Sequence, residues 1–119
     1  MRKAQRPPSV PLSVRLPSKK VREKFLIVYE LRGCQKAVDF LTAYYGVRRM
    51  RTVLDGRGVT KRCCGVYFRN TASFTRLGLK KRIVLHELYH HLVEVNGYAL
   101  RNRIEEKEAN NFARMFIRK

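Results

Sequence analysis

All three histidines of the 119-residue chain lie in one short segment, HELYHH at residues 86–91. Its first five residues have the pattern H-E-x-x-H. On an α-helix, residues four apart differ by about 40° around the axis and about 6 Å along it, so the imidazoles of His86 and His90 can reach the same ion. Zinc accepts such nitrogen ligands at about 2.1 Å in tetrahedral geometry. The spacing predicts a metal centre with His86 and His90 as ligands.

Glu87 lies between the two histidines in sequence but not on their stripe of the helix. It is about 100° around the axis from His86 and about 60° from His90. Its carboxylate is therefore expected beside the metal and not on it, where it can take a proton from a water molecule. We predict that Glu87 is the general base of a hydrolytic site.

A hydrolytic zinc site usually has three protein ligands, so a third must come from elsewhere. Glu94 shares the stripe of His86 and His90, but it lies about 12 Å along the helix from His86, which is too far for one ion. His91 faces about 140° away from His86. We exclude both residues as ligands.

A predicted C-terminal helix at residues 103–118 offers better candidates. Its apolar residues define an inner face, and Glu105 and Glu106 both fall within it. An inward carboxylate needs a cation, because an unpaired buried charge is costly. Glu106 is the predicted third ligand, with Glu105 as the alternative. Asn110, one turn after Glu106, is predicted to hydrogen-bond a ligand histidine.

The segment HELYH at residues 86–90, followed by EKEANNFA at residues 106–113, resembles the motifs of gluzincin-type zinc metallopeptidases. The compact ImmA/IrrE-like group is the most similar, with GVY at residues 65–67 standing where that group has a strand. A minimal stand-alone gluzincin fits equally, since Tyr89 replaces the usual glycine of the group. The resemblance covers roughly residues 34–117.

The resemblance implies a zincin-like fold and the hydrolysis of peptide bonds. It also implies that His86, His90 and Glu106 bind zinc, that Glu87 is the general base, and that a peptide substrate lies along an edge strand. Relatives of this kind often cleave or bind transcriptional regulators. On this basis we expect a zinc metallopeptidase acting on a cytosolic protein.

The elements that would position these residues follow from periodicity and turn signals. Helices are expected at residues 35–45, ending at Gly46, and at residues 79–96, ending at Asn96-Gly97. Residues 25–31 (FLIVYEL) favour a strand, although a helix beginning at Ser18 also fits. Short apolar runs between residues 47 and 75 predict a small antiparallel meander. The expected fold is α+β, with a small antiparallel sheet packed on helices.

Charge and composition divide the chain into two regions. Residues 1–24 contain eight Lys/Arg, one Glu and all four prolines, which predicts a flexible basic arm before a single domain at residues 25–119. The net charge of +18 favours nucleic acid or an acidic protein as a partner. However, no aromatic residue of the kind that stacks on bases interleaves the basic clusters at residues 48–51, 61–62 and 80–82. A basic nucleic-acid-associated or partner-binding protein with a non-catalytic zinc site is therefore the alternative function.

Several other classes of protein are not expected. No apolar run is long enough for a membrane span, and the N-terminus lacks a secretory signal, so we expect a cytoplasmic protein.

The odd number of cysteines (Cys34, Cys63, Cys64) argues against a disulfide scaffold and favours small buried side chains. Three tyrosines could donate a hydrogen bond to a developing oxyanion, although a core or surface role is favoured for each. They are Tyr67, Tyr89 and Tyr98.

Overall fold

The computed structural model describes residues 15–54, 65–75, 80–97 and 102–118. Within these ranges it has four helices and a three-stranded sheet, so the α+β prediction is confirmed. The helices are α1 (Lys19–Arg32), α2 (Cys34–Tyr45), α3 (Lys81–Val95) and α4 (Asn102–Ile117). The strands are β1 (Arg51–Leu54), β2 (Gly65–Phe68) and β3 (Thr71–Phe74). In this part of the chain, every helix is too short or too polar to cross a lipid bilayer.

The sheet is mixed, so the prediction of an antiparallel meander is wrong. Its strand order is β1-β3-β2, with β2 and β3 antiparallel and β1 and β3 parallel. Arg69 and Asn70 form the hairpin turn with φ of 45° and 65°, values that suit a tight two-residue turn. Parallel pairing needs a long connection, and residues 55–70 supply one between β1 and β3. Turn signals alone do not reveal which strand pairs with β1.

Helix α1 replaces the strand predicted at residues 25–31, and the alternative of a helix beginning at Ser18 is correct. The Ser18 hydroxyl accepts a hydrogen bond from the Val21 backbone N–H at 3.4 Å, as an N-cap does. Phe25 is fully buried against the ring of Phe116, with the ring centroids 5.1 Å apart. Tertiary packing of this aromatic residue outweighs the β propensity of its neighbours.

The residues predicted to end the basic arm are helical. Residues 19–24 form the first turns of α1, while residues 1–14 lie outside the described part of the chain.

Gly33, with φ of 93°, allows α1 to end and α2 to begin at once. The predicted helix at residues 35–45 is confirmed, and Gly46 ends it in the left-handed conformation.

Helix α3 is the centre of the fold and confirms the helix predicted at residues 79–96. It packs on α4 and on β2 and β3 of the sheet. Ala72 and Phe74 bring the inner face of the sheet into the core. The buried residues of α3 are Val84, Leu85, Glu87, Leu88, Tyr89, His91, Leu92 and Val93. This burial fixes the rotation of α3, so the face carrying His86 and His90 is directed towards α4.

Cys34 is free and half-buried, in agreement with the prediction of a small buried side chain, whereas Cys63 and Cys64 lie outside the described residues. Burial raises the pKa of the Cys34 thiol to about 11, against a smaller opposing effect of a hydrogen bond with Thr52. The thiolate, which is the reactive form, is therefore scarce at neutral pH.

This pKa predicts slow alkylation of Cys34 by iodoacetamide. In a Cys63→Ser/Cys64→Ser variant at pH 8, the folded protein should react at least tenfold more slowly than the denatured protein. The rate should rise about tenfold per pH unit towards pH 11, because the thiolate fraction rises in that proportion. Mass spectrometry of timed samples measures the rate. A rate that levels off by pH 9 would contradict the raised pKa.

Candidate metal centre

The predicted metal-binding residues lie where α3 and α4 pack against each other. His86 contacts Asn110, while His90, one turn later on α3, contacts Glu105. A later residue of α3 thus contacts an earlier residue of α4, so the two helices are antiparallel here. This packing carries the acidic first turns of α4 to the histidines of α3.

Three side chains converge at this interface. The Nε2 atoms of His86 and His90 are 3.2 Å apart. The Glu106 carboxylate spans both, with Oε1 3.0 Å from His86 Nε2 and Oε2 2.8 Å from His90 Nε2. One donor atom from each residue lies within 4.8 Å of the others. The separation of two nitrogens bound tetrahedrally to one zinc ion is about 3.4 Å, so this donor set has the size that zinc requires.

The opposite nitrogen of each imidazole has its own partner on α4. His86 Nδ1 lies 2.8 Å from Asn110 Oδ1, and His90 Nδ1 contacts a carboxylate oxygen of Glu105. Both partners accept hydrogen bonds, so each Nδ1 is the donor. Such partners set the tautomer and the orientation of metal-binding histidines. Asn110 and Glu105 therefore direct both Nε2 lone pairs to the same point.

These tautomers create an electrostatic problem that a cation solves. With neutral rings, two nitrogen lone pairs and a carboxylate face one another across about 3 Å, and three acceptors cannot satisfy each other. A divalent cation bound by all three groups would satisfy these acceptors at once. The residues present therefore fit a zinc ion.

Glu87 is buried on α3 beside this cluster, with 7% of its surface exposed. Burial raises the pKa of its carboxyl, the charges of His86 and His90 lower it, and the charge of Glu106 raises it. The pKa of the carboxyl is therefore sensitive to the charges of all three converging side chains. Among the described residues it has no hydrogen-bond partner, so it is available to a water molecule or a substrate.

The structure differs from the sequence-based picture in the burial of the acidic pair. Both Glu105 and Glu106 were expected to point inward, yet the Glu106 side chain is 58% exposed and that of Glu105 is 20% exposed. Glu106 reaches the histidines from the rim of the interface, which leaves one side of the cluster open to solvent. The prediction that Glu106 lies within the apolar arc is therefore wrong for its side chain.

The contact of Glu105 with His90 was not predicted. Helical periodicity placed Glu105 on the inner face of its helix but did not show which residue it would contact. The contacts 86–110 and 90–105 require α3 and α4 to be antiparallel with Glu106 opposite the histidines. The sequence does not give the direction of α4 relative to α3, so it could not assign Glu105 to His90.

His91 and Glu94, which were excluded as ligands, belong to a separate hydrogen-bond network. His91 Nε2 donates to the Arg48 carbonyl at 2.7 Å, and its Nδ1 lies 2.9 Å from the Tyr67 hydroxyl. Tyr67 also donates to Glu94 and accepts from the Asn70 backbone N–H. This network ties α3 to the β2–β3 hairpin and to the segment before β1.

None of the three tyrosines considered as oxyanion donors is shown with a free hydroxyl at the cluster: two are engaged or buried elsewhere, and the third lies outside the described residues. The Tyr67 hydroxyl is occupied by His91, Glu94 and Asn70. Tyr89 is fully buried against Phe112, and its hydroxyl has no hydrogen-bond partner within the described ranges. Tyr98 lies outside the described residues. Neither Tyr67 nor Tyr89 presents a free hydroxyl to solvent at the cluster.

Comparison of the chain with models of known protein families, with curated proteins and with solved structures finds no match. The assignment of this site therefore depends on the chemistry of its own residues.

Proposed function

We propose that this protein is a zinc-dependent metallopeptidase of the gluzincin type that hydrolyses peptide bonds of a cytosolic protein. The observation that carries the proposal is the convergence of His86 Nε2, His90 Nε2 and the Glu106 carboxylate, with both Nδ1 atoms anchored on α4. Glu87 beside this cluster adds a base that a purely structural zinc site does not need.

Each residue has one task in the proposed reaction. His86, His90 and Glu106 hold the metal, while Asn110 and Glu105 orient the two imidazoles. When bound, zinc supplies Lewis-acid chemistry, which polarises a carbonyl and makes water a stronger acid. Glu87 accepts the proton of the attacking water and then delivers it to the leaving amine. Burial suits this task, because a raised carboxyl pKa brings Glu87 nearer to the working pH.

The open side of the cluster provides access for a substrate. Glu106 is largely exposed, so the metal position is not sealed within the helix interface. Strand β2 is an edge of the sheet and packs on α3. Among the described strands, this edge position is the one where an extended peptide would add to a sheet. We propose that the substrate lies along β2.

A direct test is to incubate the zinc-loaded protein with casein and to identify new N-termini by mass spectrometry. We expect cleavage that stops on addition of 1,10-phenanthroline and returns when zinc is restored. A protein with one bound zinc per chain that produces no new termini from casein or from a mixed peptide library would not be a peptidase. That result would favour the alternative, a basic nucleic-acid-associated or partner-binding protein with a non-catalytic zinc site.

A further inference from the structure

The face of the sheet opposite the helices carries an aromatic and a basic residue in one row. Register pairs Phe68 of β2 with Thr71 of β3, and Thr71 with Arg51 of β1. Directly paired residues have their side chains on the same face of a sheet. The side chains of Phe68, Thr71 and Arg51 therefore lie on the same face of the sheet. The next residue of β3, Ala72, points to the opposite face and is buried in the core. We call the face containing Phe68, Thr71 and Arg51 the outer face.

Phe68 is unusually exposed for a large aromatic residue. The residue is 67% exposed, and the Arg69 guanidinium carbon lies 5.1 Å from the centre of its ring. A cation next to an open aromatic ring offers both a stacking surface and a charge for a phosphate. The basic clusters contain no such aromatic residue in the sequence, and strand pairing is what brings Phe68 and Arg51 into one row on either side of Thr71.

Arg51 and Thr71 also line a cavity of about 500 Å³ at the end of the sheet. Its other lining residues are Gln35, Arg49, Thr52 and Asn70. Two of the six lining residues are arginines, and none is apolar. The cavity is thus polar and carries positive charge, which attracts a phosphate.

The wall of this cavity is held by hydrogen bonds within the protein. Gln35 accepts from the backbone N–H and the hydroxyl of Thr52, both at 2.8 Å, and donates to the Met50 carbonyl at 3.0 Å. Asp39 binds Arg49 through two contacts of 2.9 and 3.1 Å. In contrast, the Arg51 guanidinium has no ion-pair partner in the described part of the chain. Arg51 is therefore the cation available for an external anion.

We propose that the outer face and this cavity bind single-stranded nucleic acid. A base stacks on Phe68, and the neighbouring phosphates pair with Arg51 and Arg69. Single strands fit better than a duplex, because only an unpaired base offers its face to an aromatic side chain. The net charge of +18 supplies the long-range attraction for a polyanion. The site is separate from the metal centre and extends the function beyond peptide hydrolysis.

The test measures the affinity of a fluorescently labelled 16-nucleotide oligo(dT) by anisotropy between 50 and 300 mM salt. Phe68→Ala should weaken binding about 5- to 100-fold without changing the salt dependence, because it removes stacking and no charge. Arg51→Gln should weaken binding and reduce the slope of log K against log salt by about 0.7, the value for one phosphate contact on a single strand. Phe68→Tyr keeps the aromatic ring and should bind as the wild type.

Matched controls come from residues away from the outer face. Tyr44→Ala removes an exposed aromatic ring from α2, and Arg114→Gln removes an exposed arginine from α4. The first should leave binding unchanged, and the second should change it less than Arg51→Gln. Equal affinity of the wild type and Phe68→Ala would overturn the proposal. So would binding of a duplex or of poly-glutamate as tight as that of oligo(dT), since charge alone would then explain it.

Discussion

Glu87→Gln should lower kcat/KM for peptide cleavage by about 10²- to 10⁴-fold while one zinc per chain remains bound. This loss in kcat/KM is the one expected when a general base is removed, because glutamine is similar in shape to glutamate but cannot accept the proton. Zinc should remain because His86, His90 and Glu106 are unchanged. Burial raises the pKa of the Glu87 carboxyl, so a neutral amide at this position should not destabilise the fold. The measurements are steady-state kinetics, zinc content and the melting temperature.

Glu23→Gln is the matched control, because Glu23 is an exposed glutamate of α1 away from the cluster. It should behave as the wild type in all three measurements. If Glu87→Gln kept full activity, Glu87 would not be the base. If the wild type and this variant bound zinc equally and neither cleaved any peptide, the zinc would have only a structural role.

The two neighbouring glutamates of α4 should differ in their effects on zinc affinity. Glu106→Ala removes a carboxylate that contacts both Nε2 atoms and should weaken zinc binding by more than about 100-fold. Glu105→Ala removes the partner of His90 Nδ1 and should weaken it by about 10- to 100-fold, as is typical of groups that orient a ligand. Competition with a fluorescent zinc chelator measures both constants.

This comparison is well matched, because each substitution removes one negative charge from adjacent positions of the same helix. A general effect of charge on zinc binding would therefore be equal in the two variants. A larger loss in Glu105→Ala than in Glu106→Ala would reverse the assigned roles and make Glu105 the ligand. That result would support the alternative that the sequence left open.

Local patterns predicted the helices best. The spacing of apolar residues predicted α2, α3 and α4, and Gly46 ended α2 where a left-handed residue was expected. The sheet was predicted less well, because the partner of β1 depends on contacts between distant residues. Helix α1 was ambiguous for the same reason. Its β-branched and aromatic residues favour a strand locally, and only the packing of Phe25 on Phe116 determines the outcome.

The residues of the site were predictable to the extent that helical geometry fixes them. The stripe of His86 and His90 and the inward direction of Glu105 follow from about 100° of rotation per residue. Asn110 was predicted as the partner of a ligand histidine, but which histidine it meets depends on the antiparallel packing of α4, as does the contact of Glu105 with His90. The row of Phe68, Thr71 and Arg51 was likewise hidden, because strand register brings together residues from three separate segments.

The most direct test of the proposed metal centre is the zinc content of the purified protein, measured by elemental mass spectrometry and divided by the protein concentration. The wild type should contain one zinc per chain, and His90→Ala should contain almost none. Tyr44→Ala, which alters an exposed residue of α2, should match the wild type. A wild-type protein that binds no zinc after incubation with an equimolar amount of the ion would contradict the account.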